Sequence, residues 1–197
     1  MKELLLGTTN LAKVHIVRAS ADGLPLRIVT PGDLGLQVRV QESGRTTVQN
    51  AEAKAMAYFA AAHMPTLAID GGLHIQGLAE KQPGAFVRRM VGRHRDATDE
   101  EVLDHYRSEL AKLGGESTGL WEGAHALAVS SGRLLAETYS FQTILTSRRR
   151  GSVTPGSPLD VLTIDPATGR YLSEMPWAER PDARWLAQFL AQHLDAL

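Results

Sequence analysis

A chain of 197 residues, 43% of them hydrophobic, is long enough to bury a substantial core; its length suits one domain or two intimately packed lobes, and a single folding unit spanning 1–197 is expected. Its 21 basic and 22 acidic residues leave a formal charge of −1, which argues against a nucleic-acid polymer as the main partner, and the absence of cysteine excludes disulfides, thiolate nucleophiles and Cys-based zinc sites. The opening MKELLLGTTN holds too short an apolar run for a signal peptide or a membrane span, so a cytoplasmic protein with no membrane partner is expected.

Glu3 to Gly7 reads as a buried strand, and Asn10 to about Ala21 as a helix whose Val14, Val17 and Ala21 recur at helical spacing. Between them Thr8, Thr9 and Asn10 offer capping side chains to a helix start whose N–H groups and dipole favour an anion. Lys13 adds a full charge one turn in. Phosphate binding and an ordinary capped helix with a solvent lysine both suit this pattern, and TTNLAK is not a Walker loop. Leu26 to Thr30 is expected as a second strand, ended by Pro31-Gly32-Asp33, after which Leu34 to Val40 leads into the polar loop QESG.

The stretch from Glu42 to Asp70 gathers ionisable groups. A helix from Thr47 to His63 is predicted to bury Val48, Ala51, Ala55, Phe59 and Ala62, with Lys54 off that stripe. Asn50 and Lys54 lie four apart and share a face. Thr66 to Ile69 is predicted as a short strand that ends at Asp70, with Gly71-Gly72 turning the chain and Leu73 to Ile75 answering it. Two carboxylates, Glu42 and Asp70, together with a lysine suggest a metal and a phosphate.

Further on, PGAFVRRMVG supplies a turn and an extended segment whose Arg88 and Arg89 could reach a phosphate or face water. Ala97 to Gly115 reads as a helix with a Thr98/Glu101 capping box and a stop at Gly114-Gly115. Thr118 to Val129 and Leu134 to Thr146 form a long hairpin around Ser130 to Arg133. Arg148 to Arg150 open a Gly/Pro/Ser-rich loop that ends at Asp160 and could close over a polyphosphate or simply be solvated. The last helix is predicted to bury Leu186, Phe189, Leu190, Leu194 and Leu197. The seven histidines contain no i,i+4 pair, and no GxSxG elbow is present, so a histidine zinc centre and a serine triad lack support.

TTNLAK, then QESG with NAEAKA, then AIDGGLHIQGL, followed by PGAFVRRMVG and ATDEE, resemble in order and spacing the inosine triphosphate pyrophosphatase family. The resemblance covers nearly the whole length. It implies an α/β fold with a mixed, elongated, twisted sheet flanked by helices in two lobes around a central cleft. It also implies a homodimer, Mg²⁺ as cofactor, and hydrolysis of a nucleoside triphosphate substrate to monophosphate and pyrophosphate. Carried over by position, Asp70, Lys13 and Lys54 would be catalytic, and Glu42 and Asp70 would hold the metal. Thr8, Thr9, Asn10, Lys13, Lys54, Gly71, Arg89, Ser157, Asp160, Arg180 and Trp185 would bind substrate.

Two departures from the family pattern carry information. Ile69 stands where a second acid is usual, and Gly71 where a serine is. In the base-reading half, Ser157-Pro158-Leu159-Asp160 replaces a loop with a stacking phenylalanine, Arg184-Trp185-Leu186 replaces Ser-His-Arg, and Arg180 replaces a lysine. Trp185 would either restore a stacking surface or cover the last helix. The expectation is a retained pyrophosphate-handling half with a rebuilt base-reading half. The rivals are a non-catalytic nucleotide-binding protein on the same scaffold and a pathway-specific nucleotide pyrophosphatase of specialised metabolism.

Overall fold

In the computed structural model, which describes residues 1–41, 43–78, 82–92 and 97–197, the chain opens with β1 (Lys2–Leu6), α1 (Leu11–Ser20), β2 (Leu26–Val29) and α2 (Thr47–Ala62). There follow β3 (Thr66–Ile75), α3 (Arg89–Gly92), α4 (Asp99–Lys112), β4 (Glu116–Ser130), β5 (Arg133–Thr146), β6 (Thr163–Ile164) and α5 (Pro181–Gln192). Among the described residues the strands form one six-stranded sheet in the order β2-β1-β3-β4-β5-β6. β1 runs parallel to both β2 and β3, as the intervening α1 and α2 require, and β6 runs antiparallel to β5. The fold is therefore mixed α/β, as expected.

Two compact units divide the chain. One comprises Met1–Gly71, Gly123–Tyr139 and Trp177–Leu197, the other Gly72–Glu122 and Ser140–Pro176. In the first, strand alternation sorts the core. Leu4 and Leu6 of β1, Leu67 and Ile69 of β3 and Leu127 of β4 pack with Val14, Ile16 and Val17 of α1 and with Leu186, Phe189 and Leu190 of α5. The opposite faces of β3 and β4 present Ala68, Ala124, Ala126 and Ala128 to Ala51 and Ala55 of α2, and such small side chains let helix and sheet approach closely. In the second unit, Leu73 and Ile75 of β3 pack with Val102, Leu103, Tyr106 and Leu110 of α4 and with Leu159, Val161 and Leu162.

Local chemistry sets the helix ends as expected. The Asn10 side chain caps α1, accepting from Lys13 N, and Thr98 with Glu101 forms a complete capping box on α4. Gly114 and Gly115, both at positive φ, follow α4.

Four expectations need correction. β3 does not end at Asp70; it runs on through Gly71 and Gly72 to Ile75, and neither glycine takes a positive φ. Glycine permits a turn without compelling one, and β4, at 15 residues, is long enough to carry the pairing onward. α2 buries Asn50, Ala51, Lys54, Ala55 and Tyr58, while Val48 and Phe59 are only partly covered. Its buried stripe is thus turned toward Asp70, and Lys54 lies on it. Residues 85–92 are a turn followed by the short helix α3, not an extended segment. At the chain's end α5 stops at Gln192, so Leu194 and Leu197 pack only partly buried against the core.

Candidate active site

The alternation of β3 that sends Ile69 into the apolar core sends Asp70 to the side of α2. There Lys54 Nζ donates to Asp70 Oδ1 at 2.6 Å and Asn50 Nδ2 donates to Oδ2 at 3.2 Å. From the first turn of α1, Lys13 Nζ donates to the Ile69 carbonyl at 3.0 Å and lies 3.5 Å from Asp70 Oδ1. Asp70 and Lys54 are 8% and 6% exposed. A lysine that deep needs a partner, and the carboxylate one strand away supplies it. Burial alone would raise the Asp70 carboxyl, but the Lys13 and Lys54 ammonium groups, with hydrogen bonds from Lys54 and Asn50, hold it below the usual 3.8.

Thr8 Oγ1 accepts from Asn10 N at 3.2 Å, and Asn10 Oδ1 accepts from Lys13 N at 3.1 Å, which fixes the capped helix start that carries Lys13. Thr9 is exposed beside them, and Gly71, also exposed, continues β3 next to Asp70. Thr8, Asn10, Lys13, Lys54 and Asp70 thus belong to one unit and to one neighbourhood. Among the described residues the cluster holds one carboxylate and two ammonium groups, an arrangement that suits an anion. Ile69, at the position of the expected second acid, contributes its backbone oxygen instead of a carboxylate.

Glu42 lies outside the described residues. The loop after it is tied to the cluster by Asn50, whose Oδ1 accepts from Gly44 N at 3.0 Å while its Nδ2 reaches Asp70. A Cβ on Gly44 would fall 2.6 Å from Asn50 Oδ1. Asn50, expected on one face with Lys54, is tied to Asp70 and to the loop by these two hydrogen bonds.

The base-reading candidates fall in both units. Arg180, 3% exposed, lays its guanidinium 4.2 Å from the centre of the Trp177 ring, and Trp177 in turn stacks on His15 of α1. Trp185 lies on α5, in the same unit, against Tyr139. In the second unit Ser157 Oγ donates to Asp160 Oδ1 at 2.8 Å within a 3₁₀ turn. Arg89 covers the Phe86 ring at 4.6 Å. Arg88 instead binds Asp99 and the Ala97 carbonyl, and Asp99 also accepts from Gly156 N at 2.8 Å, pinning the loop before Ser157. Arg150 pairs with Glu174 at 2.8 Å. The sequence marks Tyr139 as a packing aromatic of the hairpin, for the core or a dimer interface, and His125 only as one of seven histidines. The usable signal is Gly123, because a glycine inside a strand marks a close approach, here of the Tyr139 ring.

Among the described residues no group of three or more His, Asp or Glu forms a metal cage. A site of the kind Mg²⁺ takes needs less, since that ion is usually held by one or two carboxylates, with substrate phosphates and waters completing its shell. Asp70 Oδ2, which accepts one amide proton, retains acceptor capacity for such a role. The donor set fits a metal that arrives with a polyphosphate.

The chain is thus a mixed α/β protein with a lysine–carboxylate cluster beside a capped helix start. The Ham1 family pattern matches residues 4–154, and the chain belongs to that family. It is 31% identical over 205 residues to the dITP/XTP pyrophosphatase of Xanthomonas campestris pv. campestris (strain 8004), an alignment covering 98% of this chain and 96% of that protein. Against the dITP/XTP pyrophosphatase of Xanthomonas axonopodis pv. citri (strain 306) it is 38% identical over 109 residues, so the chain spans about half the length of that relative, 54%. The fold is that of a HAM1 protein from Coxiella burnetii, at TM-score 0.78 and 22% identity with all of both chains covered.

Proposed function

We propose that the protein is a Mg²⁺-dependent nucleoside triphosphate pyrophosphohydrolase, converting nucleoside triphosphate and water to monophosphate and pyrophosphate, with a base-recognition half altered relative to the inosine and xanthosine triphosphate enzymes. The observation that carries this reading is the buried Asp70 held between Lys54 and Lys13 beside the capped start of α1. The names borne by its relatives point the same way.

Water attacking the α phosphorus in line would break the α–β anhydride bond, and negative charge would build on the departing pyrophosphate. Lys13 and Lys54 are placed to lower the cost of that charge. Asp70, ionised at neutral pH, accepts a hydrogen bond from the attacking water and orients it; a carboxyl held this low is a weak base on its own. Asp70, with Glu42 beyond the described residues, would hold the Mg²⁺. When bound, the ion would neutralise phosphate charge and make water more acidic. The same reading carries a homodimer, a cytoplasmic location and no nucleic-acid or membrane partner. Among the described residues no helix is long and apolar enough to cross a membrane.

Ile69 in place of a second acid keeps one other reading in view, a nucleotide-binding protein without turnover. The experiment is a Mg²⁺-supplemented panel of purine, pyrimidine and modified nucleoside triphosphates, scored for pyrophosphate against orthophosphate. Pyrophosphate release without a sharp preference for inosine triphosphate is expected. Orthophosphate as the product, or binding with no turnover anywhere in the panel, would overturn the hydrolase assignment, and a strong inosine triphosphate preference would overturn the altered base site.

A further inference from the structure

Asp70 presents its two oxygens to different company. Oδ1 takes both ammonium groups, Lys54 at 2.6 Å and Lys13 at 3.5 Å, whereas among the described residues Oδ2 takes only the Asn50 amide, at 3.2 Å. Asn50 is fully buried in the first turn of α2. Its amide has one orientation open to it. The backbone N–H of Gly44 donates to it at 3.0 Å, only the amide oxygen can accept that proton, and the NH₂ group is therefore the end that faces Asp70. Gly44 N–H, the Asn50 amide and Asp70 Oδ2 form a polar chain in which each bond fixes the direction of the next.

The glycine at position 44 is there for contact, not for backbone freedom. Gly44 is not at a positive φ, yet a Cβ would fall 2.6 Å from Asn50 Oδ1 and 2.8 Å from Gln49 Cβ. The neighbouring tie is of another kind. Arg45 N donates to Gln49 Oε1 at 2.8 Å, which seats the same loop on α2 and ends there. Two adjacent residues of α2 hold one loop, and of the two only Asn50 carries the contact through to the carboxylate.

We infer that Asn50 is a positioning residue for the proposed hydrolysis: oriented by Gly44, it holds the Asp70 carboxylate so that Oδ2, the oxygen not paired to an ammonium group, is the one offered to the attacking water. The assignment rests on the polyphosphate reading of the Asp70 cluster. Lys54 and Lys13 bond Asp70 Oδ1 and the Ile69 carbonyl, not Asn50, so the groups that meet phosphate keep their places when the chain is cut. Cutting it therefore slows turnover and spares binding, the pattern of an interaction that acts on the chemical step alone.

The test compares the wild type with Asn50→Ala, Gly44→Ala, the double variant and Gln49→Ala, each shown to be folded by urea titration. Pyrophosphate release from a nucleoside triphosphate with Mg²⁺ gives kcat and KM, and calorimetry with Mg²⁺ and inorganic tripolyphosphate gives binding. Asn50→Ala and Gly44→Ala should each lower kcat about tenfold, the scale of one hydrogen bond to a charged group, with KM and tripolyphosphate affinity within about twofold of wild type. The double variant should be no slower than Asn50→Ala, because both changes break one chain. Gln49→Ala, which loosens the loop alone, should keep the wild-type kcat. Gly44→Ala retains every hydrogen-bonding side chain and carries the test if Asn50→Ala fails to fold. A reading independent of turnover is the ¹H–¹⁵N resonance of the Gly44 amide, which should shift in Asp70→Ala. Wild-type kcat in Gly44→Ala, additive losses in the double variant, tripolyphosphate affinity that falls with kcat, a Gln49→Ala as slow as Asn50→Ala, or a Gly44 resonance unmoved by Asp70→Ala would each overturn the positioning role. No pyrophosphate from any triphosphate with the wild type refutes the hydrolysis, and the Gly44 resonance then decides the chain by itself; wild-type turnover in the folded Gly44→Ala refutes the positioning role alone.

Discussion

Replacing Lys54 by methionine removes the nearest cation from the Asp70 carboxylate while filling most of the same volume. The pair is 2.6 Å apart, with side chains only 7% and 8% exposed, so neither charge has water to fall back on. Lys13, 26% exposed and 3.5 Å away, and Asn50, 3.2 Å from Oδ2, would remain. Removing one member of a buried pair costs about 3–5 kcal/mol, and with Lys13 still present the lower end, about 3 kcal/mol, is expected. With a urea m-value of roughly 2 kcal/mol per M, the unfolding midpoint falls by about 1.5 M. The pH dependence has a definite sign. In the wild type the folded carboxyl lies below its usual 3.8, so its contribution is complete above pH 3.8 and is lost as pH falls through the lower folded value. In Lys54→Met burial gains the upper hand and the folded carboxyl rises, so the deficit is greatest at neutral pH and shrinks as pH falls through the variant's raised value. Urea titrations at neutral and mildly acidic pH, with Lys54→Met/Asp70→Asn alongside, measure this. A pH-independent deficit, or a double variant no more stable than Lys54→Met, would refute the pairing.

His125 gives a second pH signature. Its folded value near 4 lies below the usual 6.5, so the unfolded chain takes up a proton that the folded chain refuses. The stability this group leaves intact above pH 6.5 is lost as pH falls toward 4, about 3 kcal/mol in all. His125→Phe should flatten that acid limb in urea titrations, and a difference from wild type that does not vary with pH would contradict it. At Gly7 an added Cβ would lie 2.9 Å from the Tyr58 ring, so Gly7→Ala should cost about 1–3 kcal/mol by overpacking. A thermal midpoint equal to wild type would show that Tyr58 yields freely.

What the sequence reveals about this protein depends on how local the determining physics is. Asn10 and Thr98 are readable as caps because their partners lie three residues away. The α4 helix follows from its capping box and its Gly114-Gly115 stop. Lys54 is another matter: helical spacing shows which residues it faces with, but only Asp70, brought in by β3, decides that a lysine is buried there. Gly71-Gly72 misleads because pairing along β4, not local freedom, sets their conformation. Ile69 becomes intelligible once alternation in β3 assigns it to the core and leaves its carbonyl to Lys13. The stack of His125, Tyr139 and Trp185 joins three elements, and its one sequence trace is Gly123, which cannot name the ring that covers it.

In the proposed reaction Asp70 handles the polyphosphate and its attacking water. Asp70→Asn keeps the side chain's size and removes its charge. The direct measurement is pyrophosphate release from a nucleoside triphosphate with Mg²⁺, at a pH where urea titration shows wild type and variant both folded. Turnover by the wild type and its loss, on the order of a hundredfold or more, in Asp70→Asn is expected. Near-wild-type pyrophosphate release by the folded variant would contradict it.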